Sequence, residues 1–291
     1  MEAVLRQPDD LVRGNRIDLL RVLLTVGIVC RHAELVDQAT LSSVFDVFNK
    51  GMMGITEICV PLFYVISGYL YFRNVPQNPQ PGWFLGKYRS RFFSLVLPYL
   101  IANCIAWLCY FFAIKELPSM VSGYFGDNWK DPLFVFWKGP VNLSLWFIRE
   151  LIVVVILSPL VYLLVRYLRW WGVLALGVLW AFKLGPMPIF LFSLGACAGI
   201  WKMAPLERWL NTPVRLTTRT RGWCFFIYLY HYLLVVGVKK GLCMVLHPNG
   251  TLALLGVYLL STGLTLALLS ALYWGMRRVI PRITSFMVGG K

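Results

Sequence analysis

Apolar residues fill this chain in long blocks, separated by short stretches that are polar and mostly basic. A membrane-crossing helix needs about 20 mostly apolar residues. Eight blocks approach that length: 17–36, 54–72, 92–114, 145–166, 170–184, 188–203, 222–240 and 250–276. The fifth and sixth are short, and Gly185-Pro186-Met187-Pro188 between them predicts a tight helical hairpin. The stretches 37–53 and 115–144 read as outer loops, the second carrying Tyr124, Phe125, Gly126, Asp127, Trp129 and Asp131. Residues 73–88, rich in Pro, Gln and Asn, read as a flexible connector. No repeat, fused soluble domain or low-complexity tract interrupts the pattern. The expectation is an all-α, polytopic transmembrane helix bundle of about eight spans, with residues 1–291 forming one membrane domain.

Composition agrees. The chain is 58% hydrophobic and 14% charged, with a mean hydropathy of +0.67, whereas a soluble domain is roughly half apolar and about a quarter charged. Its net charge of +15 would suggest nucleic acid in a soluble protein. Here the basic residues gather at the ends of apolar blocks, as the positive-inside pattern requires. With the N-terminus inside, eighteen of the 28 Lys and Arg fall on inner segments and seven on outer ones, so both termini are expected in the cytoplasm. No nucleic-acid partner is expected. The polar start through Asp18 does not resemble a cleavable signal peptide. Seven scattered cysteines form no CxxC pair and read as packing residues.

Ionisable residues inside a span cost a few kcal/mol each and usually face the bundle interior. The first block holds Asp18, Arg21, Arg31, His32 and Glu34. Arg21 and His32 are 11 residues apart, about 20° from three complete helical turns, so they share one face about 16 Å apart along the axis. A long anionic carrier would fit between them, its charged head at the arginine and its reactive end at the histidine. A satisfied interfacial histidine is the plainer alternative. Glu57, one turn before Pro61, either orients His32 or sits at the interface. Ser67 and Gly68 permit close helix approach. Trp146 is placed as an aromatic-belt residue, and Arg149 and Glu150 either neutralise each other or present a carboxylate to a polar cavity. Three histidines on separate segments lack metal-ligand spacing, so no metal is expected.

In chain order these residues resemble membrane-bound acyltransferase family 3, the bacterial O- and N-acetyltransferases of surface glycans. Arg21, ten residues and His32 resemble that family's basic-residue-to-histidine motif. Val60-Pro61-Leu62-Phe63 with Ser67-Gly68-Tyr69-Leu70 resembles its second signature, and Lys87 to Tyr99 with Arg91 its third-helix entry. Leu145-Trp146-Phe147 and Phe226-Ile227-Tyr228-Leu229-Tyr230-His231 match two more, so the resemblance covers about 16–240. Two departures stand out. Ser94 follows Arg91 where the family has a second arginine, with Arg89 the candidate substitute. Residues 202–221 run almost directly into the next span, so the chain is two helices short of the family's usual ten.

The resemblance implies an acyltransferase of the bacterial cytoplasmic membrane. It would carry an acyl group, acetyl foremost, from cytoplasmic acetyl-CoA to a hydroxyl of a surface polysaccharide or lipid-linked sugar. It implies Arg21, Arg89, Arg91, Ser67 and Tyr69 at the donor, with His32, Arg21 and Glu150 catalytic and Glu57, Trp146 and His231 lining the cavity. His32 would act as general base or carry the acyl group covalently. A transporter or flippase, using buried charges as a substrate path, and an inactive membrane scaffold remain the alternatives.

Overall fold

A computed structural model describes residues 13–35, 43–113, 134–216 and 220–290. Much of the second expected outer loop, including Tyr124 to Asp131, lies outside the described residues. What is described is a helical bundle. Among the described residues five helical runs are long and apolar enough to cross a membrane: Val44–Phe72, Pro81–Cys109, Ser158–Ala181, Thr220–Leu246 and Thr251–Val279. A sixth is reached if Met187–Ile200 and Ala204–Leu210, bent by 99° at their junction, form one span.

The first helix, α1 (Arg16–His32), is capped by Asn15, whose side chain accepts from the Asp18 amide at 3.2 Å. It follows a departure from the all-helical expectation: strand β1 (Arg13–Asn15) pairs antiparallel with β2 (Pro213–Arg215). These short polar segments lie outside the apolar blocks, where periodicity carries no signal.

Helix α2 (Ser43–Glu57) corrects the first outer loop, since most of it is helical and continues nearly unbroken into α3 (Cys59–Phe72). Its apolar face, Phe45, Phe48 and Met52 at helical spacing, packs with Leu35, Val235 and Tyr258. Lys50 meets Asp46 at 2.6 Å on its outer face. The inner connector needs the same correction. Helix α4 (Pro81–Arg91) starts with proline in its first turn, and Trp83 and Phe84 anchor it to the core. A π-turn at Phe92–Val96 joins it to α5 (Leu97–Ala113).

Beyond α5, a 3₁₀ turn (Leu143–Leu145) leads into α6 (Trp146–Ile156), which breaks at Leu157 just before Pro159. Then come α7 (Ser158–Leu163), a π-turn (Leu164–Leu168) and α8 (Arg169–Ala181). Arg169 has a positive φ of 51°, which interrupts this run where the sequence pattern divides its fourth and fifth blocks. Helix α9 (Met187–Ile200) returns beside α8, with Trp180 stacked on Phe190 at 5.5 Å, as the Gly-Pro hairpin requires. A short α10 (Ala204–Leu210) and β2 lead to α11 (Thr220–Leu246), α12 (Thr251–Val279) and α13 (Pro281–Met287).

Helices α3 and α9 pack backbone to backbone. A Cβ on Gly68 would strike the Phe192 carbonyl, and one on Gly195 would strike that of Val65. Two facing glycines permit this approach, which is how small residues join helices in membranes. Helix α11 lies beside α1, joined at Asp18–Arg221 and again at His32–His231, and their shared length carries the chemistry.

Candidate active site

Asp18, in the first turn of α1, is 5% exposed. Arg21 donates to it at 2.8 Å from one turn along, and Arg221, from the start of α11, at 2.9 and 3.1 Å. A carboxylate gripped by two guanidiniums fixes both, because charge-assisted hydrogen bonds are short and directional. Within this cluster two guanidinium charges meet one carboxylate, leaving a net positive charge.

Two adjoining cavities open there and share Arg21, Ser67, Arg91, Leu95, Leu151 and Arg221. The first, of about 340 Å³, adds Arg73 and Asn74 from the end of α3. The second, of about 510 Å³, adds Arg277 and runs along α1 to Thr25, ending at Phe63, Phe147 and Tyr228. These three rings stand 5.5 to 6.3 Å apart and close the inner end. Tyr228 is held by donating to the Ser144 carbonyl at 2.6 Å, and Asn142 beside it donates to the Leu229 carbonyl at 2.7 Å. The floor between α6 and α11 is therefore built on buried polar bonds.

Past Tyr228 lie the histidines. His231 is fully buried, its ring 5.9 Å from that of Tyr228 and 5.2 Å from that of His32. His32 is half-buried, with Tyr232 edge-on at 5.1 Å. The stripe of α1 that carries Arg21, Thr25 and His32 thus faces the bundle, not its outside. Neither cavity reaches His32 in this state, because the aromatic floor lies between.

The structure therefore joins Arg21, Arg91 and Ser67 at the cavities and His32 with His231 beyond them. It leaves other candidates apart. Arg89 is exposed and lines neither cavity. Tyr69 is buried on the opposite side of α3, against Ile17, Ala198 and Leu210. Glu57 is exposed at the end of α2, where the interfacial reading fits it. Trp146 is 39% exposed, and its neighbour Phe147 faces the cavity instead. Glu150 receives Arg149 at 2.7 Å, and Arg149 also donates to the Trp137 and Lys138 carbonyls, so this pair satisfies itself.

Ser94 does line the second cavity, at the place where the resembling family has its second arginine. Besides Arg21 and Arg91, cationic character there comes from Arg221 and Arg277, on α11 and α12, and not from Arg89. Sequence reasoning missed Arg221 and Arg277, along with Arg73, because a basic residue beside a span reads first as a topology signal, and it named Asp18 and Tyr228 within their segments without giving them a role. Among the described residues no group of His, Cys, Asp and Glu is placed to hold a metal ion.

Residues 15–193, more than half of the 291, match the acyltransferase-domain family. The chain belongs to that acyltransferase family. The match spans α1 through much of α9 and so contains Arg21, His32, Ser67 and Arg91, while Arg221, His231 and Arg277 lie beyond it. The chain is also similar to the succinoglycan biosynthesis protein ExoH of Rhizobium meliloti, with 33% identity over 213 residues. That alignment covers 64% of this chain and 53% of the relative, so the chain spans about half the length of the curated protein it matches. No solved structure matches.

Proposed function

We propose that this protein transfers an acyl group, acetyl foremost, from acyl-CoA to a hydroxyl of a cell-surface polysaccharide or lipid-linked sugar. The observation that carries this reading is one helix face bearing a cationic cavity at one end and a histidine pair at the other. Membership of the acyltransferase family and likeness to a succinoglycan biosynthesis protein agree with it.

In this reading Arg21, Arg91, Arg221 and Arg277 receive the donor's phosphates, since guanidinium presents a planar fork of donors that matches phosphate oxygens. Ser67 adds a hydroxyl at the same wall. The donor's thioester end lies toward His32, past the floor of Phe63, Phe147 and Tyr228, whose side chains give way as the arm enters. His32 then removes the proton of the acceptor hydroxyl, a role suited to imidazole near neutral pH. In this reading the basic residues at the helix ends face the cytoplasm, so the arginines lie on the cytoplasmic side and the histidines toward the outer face. The membrane of this reading is the bacterial cytoplasmic membrane, where acyl-CoA is at hand on the inner side.

Membranes containing the protein, given acetyl-CoA labelled in the acetyl group, should pass label to the polysaccharide or lipid-linked sugar fraction with release of free thiol. His32→Ala should cut that transfer by at least ~100-fold, within the usual range for a lost general base, while the variant still accumulates in the membrane. Transfer at the wild-type rate by His32→Ala would remove histidine from the reaction. No thiol release by the wild-type protein with any glycan fraction would remove the enzymatic reading.

A further inference from the structure

His231 is buried to 0% exposure midway along α11, where an imidazole adds nothing to packing that a leucine would not. Its Nδ1 lies 2.9 Å from the Tyr228 carbonyl and 3.2 Å from that of Ile227, one turn earlier on the same helix. Carbonyl oxygens only accept, so Nδ1 carries the proton and donates. The neutral ring then has its lone pair on Nε2. That atom is buried and has no hydrogen-bond partner among the described residues. A buried acceptor left unmatched costs about 1–3 kcal/mol, so one this deep calls for a reason.

The His231 ring lies 5.2 Å from that of His32, centroid to centroid and tilted by 42°, nearer than the Tyr228 ring at 5.9 Å. At that spacing two imidazoles whose nitrogens face each other meet at hydrogen-bond distance, about 3 Å. As the rings stand Nε2 has no partner among the described residues, and pairing requires the half-buried His32 ring to turn toward it, a rearrangement that needs no substrate. Tyr232, edge-on at 5.1 Å, limits how far that ring can swing. The helix carbonyls hold His231 fixed, so His32 is the partner that adjusts.

We propose that His231 is the positioning residue of the acyl-transfer reaction, a role that rests on the reading above. Its Nε2 accepts the ring N–H of His32 and so holds the other nitrogen of His32 unprotonated, facing the acceptor hydroxyl. As the hydroxyl oxygen bonds to the thioester carbonyl carbon, its proton passes to that free nitrogen, and the His231 acceptor stabilises the imidazolium formed. The carbon–sulfur bond then breaks and His32 returns the proton to the departing thiolate. His231 itself neither gains nor loses a proton. This is the logic of a base oriented by a third group, built here from two histidines on parallel helices.

The chain has three histidines, so nitrogen-15 histidine labelling of the full-length protein in nanodiscs gives three rings, with His247→Gln identifying the exposed one. His231 should be protonated at Nδ1. His231→Asn keeps a donor near the helix carbonyls but cannot reach the Nε2 position, and should redistribute the proton between the nitrogens of His32. With acetyl-CoA and the glycan fraction, its kcat should fall ~100-fold, the size of effect expected from a misplaced group, with KM for acetyl-CoA little changed. His231→Gln, whose amide oxygen reaches the Nε2 position, should recover most of kcat. Both variants are compared with wild type by thermal melting, so that a folding defect is seen separately. An unchanged His32 ring signal in His231→Asn, or equal loss in both variants, would overturn the proposal. The ring signals need no substrate, so wild-type protein lacking transfer would count against the acyl-transfer reading alone.

Discussion

One carboxylate, that of Asp18, faces two guanidiniums at the mouth of the cavities, and all three groups come from segments that start at the same end of the bundle. Asp18→Asn preserves shape and removes the charge that holds Arg21 and Arg221 in place. The side chain of Arg221 is 67% exposed and that of Asp18 only 7%, so the loss falls mainly on the buried side. Breaking a fully buried pair costs about 3–5 kcal/mol, and the open side of this one reduces that to roughly 2 kcal/mol. KM for acetyl-CoA should rise ~10-fold, since charge-assisted contacts to phosphate depend on where the fork points. Steady-state kinetics and melting of the detergent-solubilised variant check both effects. The expectation grouped Arg89 with Arg91 and Ser67 with Tyr69 at the donor, against helical spacing. Residues two apart on a helix stand about 200° apart, so Arg89 and Arg91 could not share a face, nor could Ser67 and Tyr69. That rule separates the residues at the cavities from those outside them. Arg221 and Arg277 were not readable, because only the bundle brings the ends of α11 and α12 to Arg21.

Helix α3 shows what a motif does at the scale of an element. Ser67-Gly68-Tyr69 puts three successive residues on three sides: a hydroxyl at the cavity, a bare backbone against α9, and a ring in a separate apolar cluster. Gly195→Ala sets a methyl against the Val65 carbonyl and forces the two helices apart. It should destabilise the protein by about 3 kcal/mol, the upper part of the overpacking range. Gly256→Ala on α12, where a Cβ meets nothing within 4 Å, should leave stability unchanged or raise it by up to about 1 kcal/mol. Thermal melting of the pair checks the contrast. The close approach was legible from the small residues of α3, whereas its partner face was not, since α9 carries several glycines and alanines. Helix α2 escaped the pattern because Asp46, Asn49 and Lys50 interrupt its apolar run. The π-turn after Arg91 escaped it too, since one extra residue in a helical turn leaves hydropathy unchanged.

For the whole molecule, the orientation proposed here makes a direct prediction. A single cysteine placed at Asn249, in a background without the seven native cysteines, should react with a membrane-impermeant thiol reagent added to intact cells. One at Arg278 should react only after the cells are opened. Reversed labelling would put the arginine cavities outside, away from cytoplasmic acyl-CoA, and the proposed donor path would fail.

Sequence alone determined the material of this protein: long apolar helices that water cannot solvate, basic ends, and an arginine and a histidine aligned on one helix face by the 3.6-residue turn. These are local or additive properties, and no partner is needed to read them. Only the tertiary structure decided which ionisable groups meet. Arg221 reaches Asp18 across 203 residues of chain, and His231 comes beside His32 because α11 runs parallel to α1. Glu150 stays with its neighbour Arg149. The hydrogen-bonded contacts between these groups form only within about 3 Å, and distances of that size are set by packing between helices far apart in sequence.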